Sequence, residues 1–286
     1  MREQTFYLEN FNSFEPKHIF ECGQCFRWDL QPDGSYTGIF GKNVLNVKKE
    51  NEKIVFKGIC ETNIIKTCMD YFDLNRDYNK IKEKLALVDD NLSQSIEYGY
   101  GIRILKQDLW ETIISFIISA NNNIPRIKGI IDRISKEYGQ PIEYDGNIHY
   151  TFPTPQELSK ATIEDLRRLG LGFRDKYVYN TTQMIINSEL ISVLEKEKDI
   201  NIIKENLMQL PGIGEKVADC IILFGLNRFE SFPVDVWVRR VMNELYIKNK
   251  DEAKVKNQEI RKLAYAKYDD LAGIAQQYLF YWKREA

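Results

Sequence analysis

Histidine is nearly absent from this chain of 286 residues, which has only His18 and His149. A histidine-built metal centre is therefore excluded, and neither residue sits in a recognisable motif for a general base. Cysteine is scarce and odd in number. Cys22, Cys25, Cys60, Cys68 and Cys220 are scattered along the chain, which fits a reducing cytoplasm better than a disulfide framework. Cys22-x-x-Cys25 has half the spacing of a zinc site, but seven residues separate Cys60 from Cys68 and no second half is completed. Positive charge is not in excess: 40 Lys and Arg stand against 42 Asp and Glu, for a formal net charge of −2. A nucleic-acid surface on such a chain has to be local, built from backbone amides and a few Arg or Lys. Long apolar runs are missing too. The most apolar one, residues 109–120, is interrupted by Glu111 and Thr112. It is shorter than the roughly 20 residues that span a bilayer and reads as a buried helix. The opening Met1-Arg2-Glu3-Gln4 has no apolar core of the signal-peptide kind, so no membrane partner is expected and a cytoplasmic location is.

What is present is the composition of a globular protein: 43% hydrophobic and 29% charged residues, enough apolar material for one large or two ordinary cores. Segments 34–40, 43–47 and 53–59 are short and rich in Val, Ile, Phe and Tyr. Turn residues divide them, among them Pro32-Asp33-Gly34 and Gly41. That pattern predicts an antiparallel sheet of hairpins. Polar helical stretches follow at 64–69 and 78–87. From Tyr100 onward the periodicity is helical, with helices expected at 107–119, 125–138, 163–169, 176–187, 200–209, 216–224, 236–246, 253–267 and 269–283. The expectation is an α+β protein with a sheet domain over 1–99 and a helical domain over 100–286, the site lying in the cleft between them.

The most informative stretch is Leu210-Pro211-Gly212-Ile213-Gly214-Glu215-Lys216-Val217-Ala218-Asp219-Cys220. One helix ends here and a Pro-Gly-x-Gly turn leads at once into the next. Gly212 and Gly214 let the backbone come close to a neighbouring group, and the first amides of the second helix lack intrahelical partners. Together they form a socket for a phosphate, held directly or through a monovalent or divalent cation shared with the 210–214 backbone. An ordinary helix–turn–helix connection has the same local sequence.

Helical spacing places Lys216, Cys220 and Phe224 on one face. An amine flanked by a thiol and a ring is partly desolvated, which favours its neutral, nucleophilic form. A solvated lysine whose stem covers its neighbours fits the spacing equally well. Nineteen residues on, Phe232-Pro233-Val234-Asp235-Val236-Trp237 leads an extended segment into a helix, with Asp235 placed as its N-cap. A carboxylate there stays ionised and can stabilise an oxocarbenium-like sugar, or can simply cap.

These residues carry a resemblance. Residues 210–220, followed by Pro233-Val234-Asp235, resemble the helix–hairpin–helix and Gly-Pro-Asp superfamily of DNA glycosylases. Within it the chain is similar to the 8-oxoguanine DNA glycosylases of eukaryotes and some bacteria. Further matching motifs are Gly23-Gln24-Cys25-Phe26-Arg27-Trp28, Ser119-Ala120-Asn121-Asn122-Asn123-Ile124-Pro125-Arg126, Leu169-Gly170-Leu171-Gly172-Phe173-Arg174, and Ala272-Gly273-Ile274-Ala275-Gln276 with Phe280. The resemblance implies a bifunctional repair enzyme that flips 8-oxoguanine out of duplex DNA opposite cytosine, removes it and cleaves the abasic strand. It makes Lys216 the nucleophile that forms a Schiff base, and Asp235 its supporting carboxylate. Gly23 would accept the N7–H that guanine lacks, Cys220 and Phe280 would sandwich the base, and Gln276 would bond its Watson–Crick edge, with Phe224 completing the pocket. Asn121 would fill the gap in the duplex, Phe173 would wedge it, and Arg126 and Arg174 would bond the orphaned cytosine. Gly212, Gly214 and Trp237 would hold the backbone. No cofactor is required, and the expected state is a monomer acting at the nucleoid.

The sequence departs from the family pattern at Cys25 (Ser is familiar), Phe173 (Tyr), Trp237 (a phosphate-contacting His) and the end of Phe280-Tyr281-Trp282-Lys283, which lacks an acidic residue. No group of four cysteines follows Cys220, so the iron–sulfur cluster of endonuclease III relatives is not expected. A monofunctional glycosylase would need only water and the aspartate, so Lys216 argues against it. A non-catalytic junction binder would need neither reacting residue.

Overall fold

The computed structural model describes residues 2–9, 11–249, 251 and 254–285. Five strands, β1 (Glu3–Glu9), β2 (Trp28–Leu30), β3 (Tyr36–Phe40), β4 (Asn43–Glu50) and β5 (Lys53–Ile59), form an antiparallel sheet in the order β1-β5-β4-β3-β2. Registers such as Tyr36↔Val47 and Val47↔Phe56 stack the large side chains on one face. That face closes over α1 (Pro16–Phe20) and α2 (Ile64–Tyr71) with an aromatic core, in which Phe20 stacks on Trp28 at 3.9 Å and Phe40 on Tyr71 at 3.7 Å. The hairpins expected at 34–59 are present, and β1, which alternates strictly, adds a strand that the sequence reading left out.

The remainder is mainly helical: α3 (Tyr78–Ala86), α4 (Asp90–Tyr98), α5 (Leu109–Ser119), α6 (Ile124–Tyr138), α7 (Pro155–Leu158), α8 (Ile163–Arg168), α9 (Asp175–Ile186), α10 (Leu190–Lys196), α11 (Ile200–Met208), α12 (Glu215–Gly225), α13 (Val236–Met242), α14 (Asn257–Tyr268) and α15 (Ala272–Glu285). The α+β class stands. The helical expectation fails at β6 (Pro141–Tyr144) and β7 (Asn147–Tyr150), a hairpin turned by Asp145 and Gly146 at positive φ. Its Ile142 and Tyr144 pack on Ile39, Val44 and Ile59 of the sheet. The helix expected over 236–246 ends at Met242 and continues as a π turn, Asn243–Ile247. That expected from Ala253 begins at Asn257, and residue 253 itself lies outside the described residues. The last one opens with a 3-10 turn, Asp269–Leu271, before α15. The cores do not divide at residue 99: Tyr78, Leu85, Leu92 and Ile96 of α3 and α4 belong to the helical core, and α4 packs on α15.

Between α4 and α5 the chain runs extended through residues 102–107, and this strap holds the two cores together. Arg103 is fully buried, donates to the carbonyls of Phe72, Asp73, Ser13 and Arg76, and lies 4.1 Å from the Tyr78 ring centre. Gln24, also fully buried, donates to Arg103 O (2.8 Å) and Ile19 O (2.9 Å) and accepts from Leu105 N (2.9 Å). Its own carbonyl accepts from Gln107. Replacing Gln24 by Ala strands buried backbone groups at Arg103 and Leu105, each worth ~1–3 kcal/mol when unpaired. Gln24→Ala should lower unfolding stability by about 3 kcal/mol in denaturant titration. A change below ~1 kcal/mol would show that the strap is held by other contacts.

Candidate active site

The hairpin takes the shape its glycines allow. Asp199 caps α11, and the chain turns after Met208 with Leu210 N–H donating to Leu207 O and Ile213 N–H to Leu210 O. Gly212 has φ +85°, and a Cβ there would meet the Tyr177 ring at 2.8 Å, so any other residue is strained and obstructed. Leu210 and Ile213 anchor the turn in the core. Gly214 is the N-cap of α12, exposed, extended in backbone and without a side-chain cap, which leaves the first-turn amides open.

Lys216 stands in the first turn of α12, partly buried. Its Nζ lies 5.6 Å from the Phe116 ring centre of α5, and Cys220 stands one turn further along the same helix. Phe116 stacks on Phe224 (5.5 Å) and meets Phe26 edge-on (5.6 Å), which connects the lysine to the loop carrying Gly23. The shared face of Lys216, Cys220 and Phe224 is as the spacing predicts. Phe224 is buried and stacks on Phe116. Burial acts on the amine in the expected direction but is outweighed. Cys220 and then Asp235 hold the Lys216 ammonium above the usual lysine value, against burial, which pulls it down. Burial pushes the Cys220 thiol up to about 11.

Asp235 caps α13, its Oδ1 accepting from Val238 N–H at 2.7 Å, as its position predicts. The preceding segment is buried through Val234, and Ser231 Oγ donates to Asp219 O of α12 at 2.9 Å. That bond ties the Asp235 loop to the Lys216 helix. Asp219 itself is 2% exposed and accepts from Lys204 of α11 (2.7 Å) and Arg261 of α14 (2.8 Å). Arg261 also bonds Glu215, beside Lys216.

A second group forms around Gly23. It has φ +80°, and a Cβ there would come within 3.5 Å of the Phe280 ring of α15. Gln276, one turn earlier on α15, is buried and accepts from the neighbouring Gln277 amide at 2.9 Å. Cys22 and Cys25 are free, buried thiols, Cys22 pushed up to about 11 by desolvation. No group of three or more His, Cys, Asp or Glu with metal-holding geometry occurs among the described residues.

A surface extends from the hairpin. Tyr177, against Gly212, meets Phe173 edge-on at 6.2 Å, and Phe173 is 58% exposed. Asn121 follows α5 in a left-handed conformation (φ +52°) and is exposed. Arg126 is exposed, 3.5 Å from Gly170 O. Arg174 is not at the surface: its guanidinium is buried and donates to Ala120 O (2.6 Å) and Asn121 O (2.7 Å), so in this state it shapes the Asn121 turn. Trp237 is 43% exposed just after Asp235. Phe116 and Tyr177 are the site residues that sequence reasoning missed. Both come from helices remote in sequence, and nothing local marks which face meets the hairpin.

Two family models match the chain. Residues 7–113 match the 8-oxoguanine DNA glycosylase N-terminal domain, and residues 114–267 match the HhH-GPD superfamily base excision DNA repair protein. The N-glycosylase/DNA lyase of Saccharomyces cerevisiae is 31% identical over 92% of this chain and 81% of its own length. The Clostridium acetobutylicum 8-oxoguanine glycosylase/lyase, solved with double-stranded DNA carrying cytosine opposite 8-oxoguanine, superposes with a TM-score of 0.93. It is 42% identical, and the alignment covers 99% of this chain and 97% of that one. The 3-methyladenine DNA glycosylase of Archaeoglobus fulgidus shares the fold (TM-score 0.79, 20% identity, 98% of each chain).

The ion-pair network beneath Lys216 is testable on stability alone. Arg261→Ala leaves Asp219 buried with one partner fewer and should lower stability by about 3 kcal/mol. Lys136→Ala, which breaks the exposed pair with Asp132, should change it by less than ~0.5 kcal/mol. Equal effects in thermal unfolding would show that the network carries no special load.

Proposed function

The chain belongs to the HhH-GPD superfamily of base excision DNA repair proteins and is an N-glycosylase/DNA lyase, and we propose that it removes 8-oxoguanine opposite cytosine from duplex DNA. The observation that carries this reading is the placement of Lys216 in the first turn of the hairpin's second helix, beside Phe116, with the Asp235 loop tied to that helix through Ser231. A damaged nucleotide flipped from the duplex would present its C1′ to Lys216. The Nζ lone pair attacks C1′, the C1′–N9 bond breaks, and its electron pair leaves with the base, which takes up a proton. The sugar ring opens to an iminium joining Nζ to C1′. Loss of a proton from C2′ then expels the 3′ phosphate by β-elimination, and water releases the lysine. The fixed charge of Asp235 stabilises the cationic sugar while C1′ is electron-poor. The excised base or Asp235 carries the proton.

The base pocket falls to Gly23, Cys220, Gln276 and Phe280. The Gly23 carbonyl accepts the N7–H that only the oxidised base carries, and an unmatched pairing costs ~1–3 kcal/mol. Phe280 and Cys220 take the two faces. Asn121 and Phe173 occupy the vacated stack, and Arg126 reads the cytosine while Arg174 holds the Asn121 turn. The amides around Gly212 and Gly214 grip phosphate, directly or through a cation, and Trp237 adds an indole N–H. The partner is damaged double-stranded DNA, bound by a monomer, with the Gly23 loop on one side of the pocket and α12 and α15 on the other. Its place is the cytoplasm, at the nucleoid. No helix among the described residues is long and apolar enough to cross a membrane.

Borohydride reduces an iminium to a stable amine, so it should trap wild-type protein on a duplex with 8-oxoguanine opposite cytosine. Lys216→Gln should abolish the adduct, and Asp235→Asn should slow it roughly a hundredfold. Free base without any adduct from wild type would defeat the lysine mechanism. The trapping rate should also climb between pH 6 and 9, because the neutral amine reacts and Lys216 is held protonated by Cys220 and Asp235. A rate that falls over that range would exclude the amine as nucleophile.

A further inference from the structure

The guanidinium of Arg284, in the last turn of α15, contacts both halves of the base pocket. It lies 5.0 Å from the ring centre of Phe280, and a Cβ on Gly23 would sit 3.4 Å from its Nη1. Its Nη2 donates to the carbonyl of Glu21, the residue that ends α1, and its Nε pairs with Glu285 at 2.8 Å. Its side chain is only 16% exposed. A cation at a helix C-terminus is favoured by the dipole alone. That role needs neither a stack on Phe280 nor a bond to a carbonyl 263 positions earlier.

We propose that Arg284 is a positioning residue for base recognition, holding the Glu21–Gly23 loop and the Phe280 ring at a fixed separation. The inference rests on the 8-oxoguanine reading above and adds a specificity element to it. Discrimination by one carbonyl works only if that carbonyl is held within a fraction of an ångström of the N7–H. Gly23, at positive φ and without a side chain, cannot hold itself in place. Phe280 is half-buried, and the guanidinium over its ring limits how far it can tilt. One planar group bonded to the loop and stacked on the ring couples the two. Phe280 and the Gly23 carbonyl contact the base, and Arg284 acts through them.

Base excision and abasic-site cleavage separate this role from general support, because a preformed abasic site has no base to position. In the full chain, Arg284→Ala should lower the ratio of 8-oxoguanine excision to abasic cleavage roughly tenfold under single-turnover conditions. It should also narrow the preference for 8-oxoguanine over guanine. Arg284→Lys, which keeps the charge and loses the plane, should fall between Ala and wild type. Excision and abasic cleavage falling together, or an unchanged ratio in both variants, would overturn the proposal while leaving the 8-oxoguanine reading intact. Wild-type protein that cleaves abasic DNA but releases no 8-oxoguanine would overturn both.

Discussion

The side-chain amide of Gln24 is the joint on which the site's geometry depends. With no solvent available, its donors and acceptor have to be used inside, and they bind the end of α1 to the strap that leads into α5. One residue before it lies Gly23, and seven residues along the strap from Ile102 begins α5, which carries Phe116 beneath Lys216. The Gly23 loop and the helix that carries Phe116 are thus referenced to the same few hydrogen bonds. Residues flanking Gly23, namely Cys22 and Phe26, pack in the same core as Phe116 and Cys220, so those bonds fix a loop that the helical core already reaches.

A second constraint sets the far side. Asp219 is a buried carboxylate whose partners come from α11 and α14, and whose carbonyl takes a bond from Ser231 in the Asp235 loop. Burying a charge is unfavourable unless it is paired, so the pairing forces these elements into one arrangement. Lys216 and Asp235, nineteen residues apart, are thereby held on backbones that cannot drift independently.

The local placement of Lys216 and Asp235 was readable in advance because its signals are local, while their roles came only from the resemblance of several separate motifs. Helical spacing put Cys220 and Phe224 beside Lys216, and the Pro233-Val234-Asp235 segment announced a cap. Long-range facts were not readable in this way. Phe116 sits in α5, whose residues are apolar almost all round, so no periodicity says which one faces the lysine. The β6–β7 hairpin did leave a trace in its Asp145-Gly146 turn, but the strands are four residues each and lie among helices. The resemblance gives Arg174 the orphaned cytosine, and nothing local in the sequence says where its guanidinium rests in the free protein. There it donates to the carbonyls of Ala120 and Asn121, at a left-handed turn.

The hairpin has a consequence for the thermodynamics of association. Lysine and arginine gain affinity for a duplex largely by releasing condensed counterions, and each phosphate so neutralised steepens the dependence of log affinity on log salt by about 0.9. On this acidic chain Arg174, Lys204 and Arg261 are already committed to carbonyls and carboxylates. The amides after Gly212 offer oriented dipoles, not mobile full charges. A phosphate held by such amides releases fewer counterions than one held by a lysine, so that contact is the less steep in ionic strength.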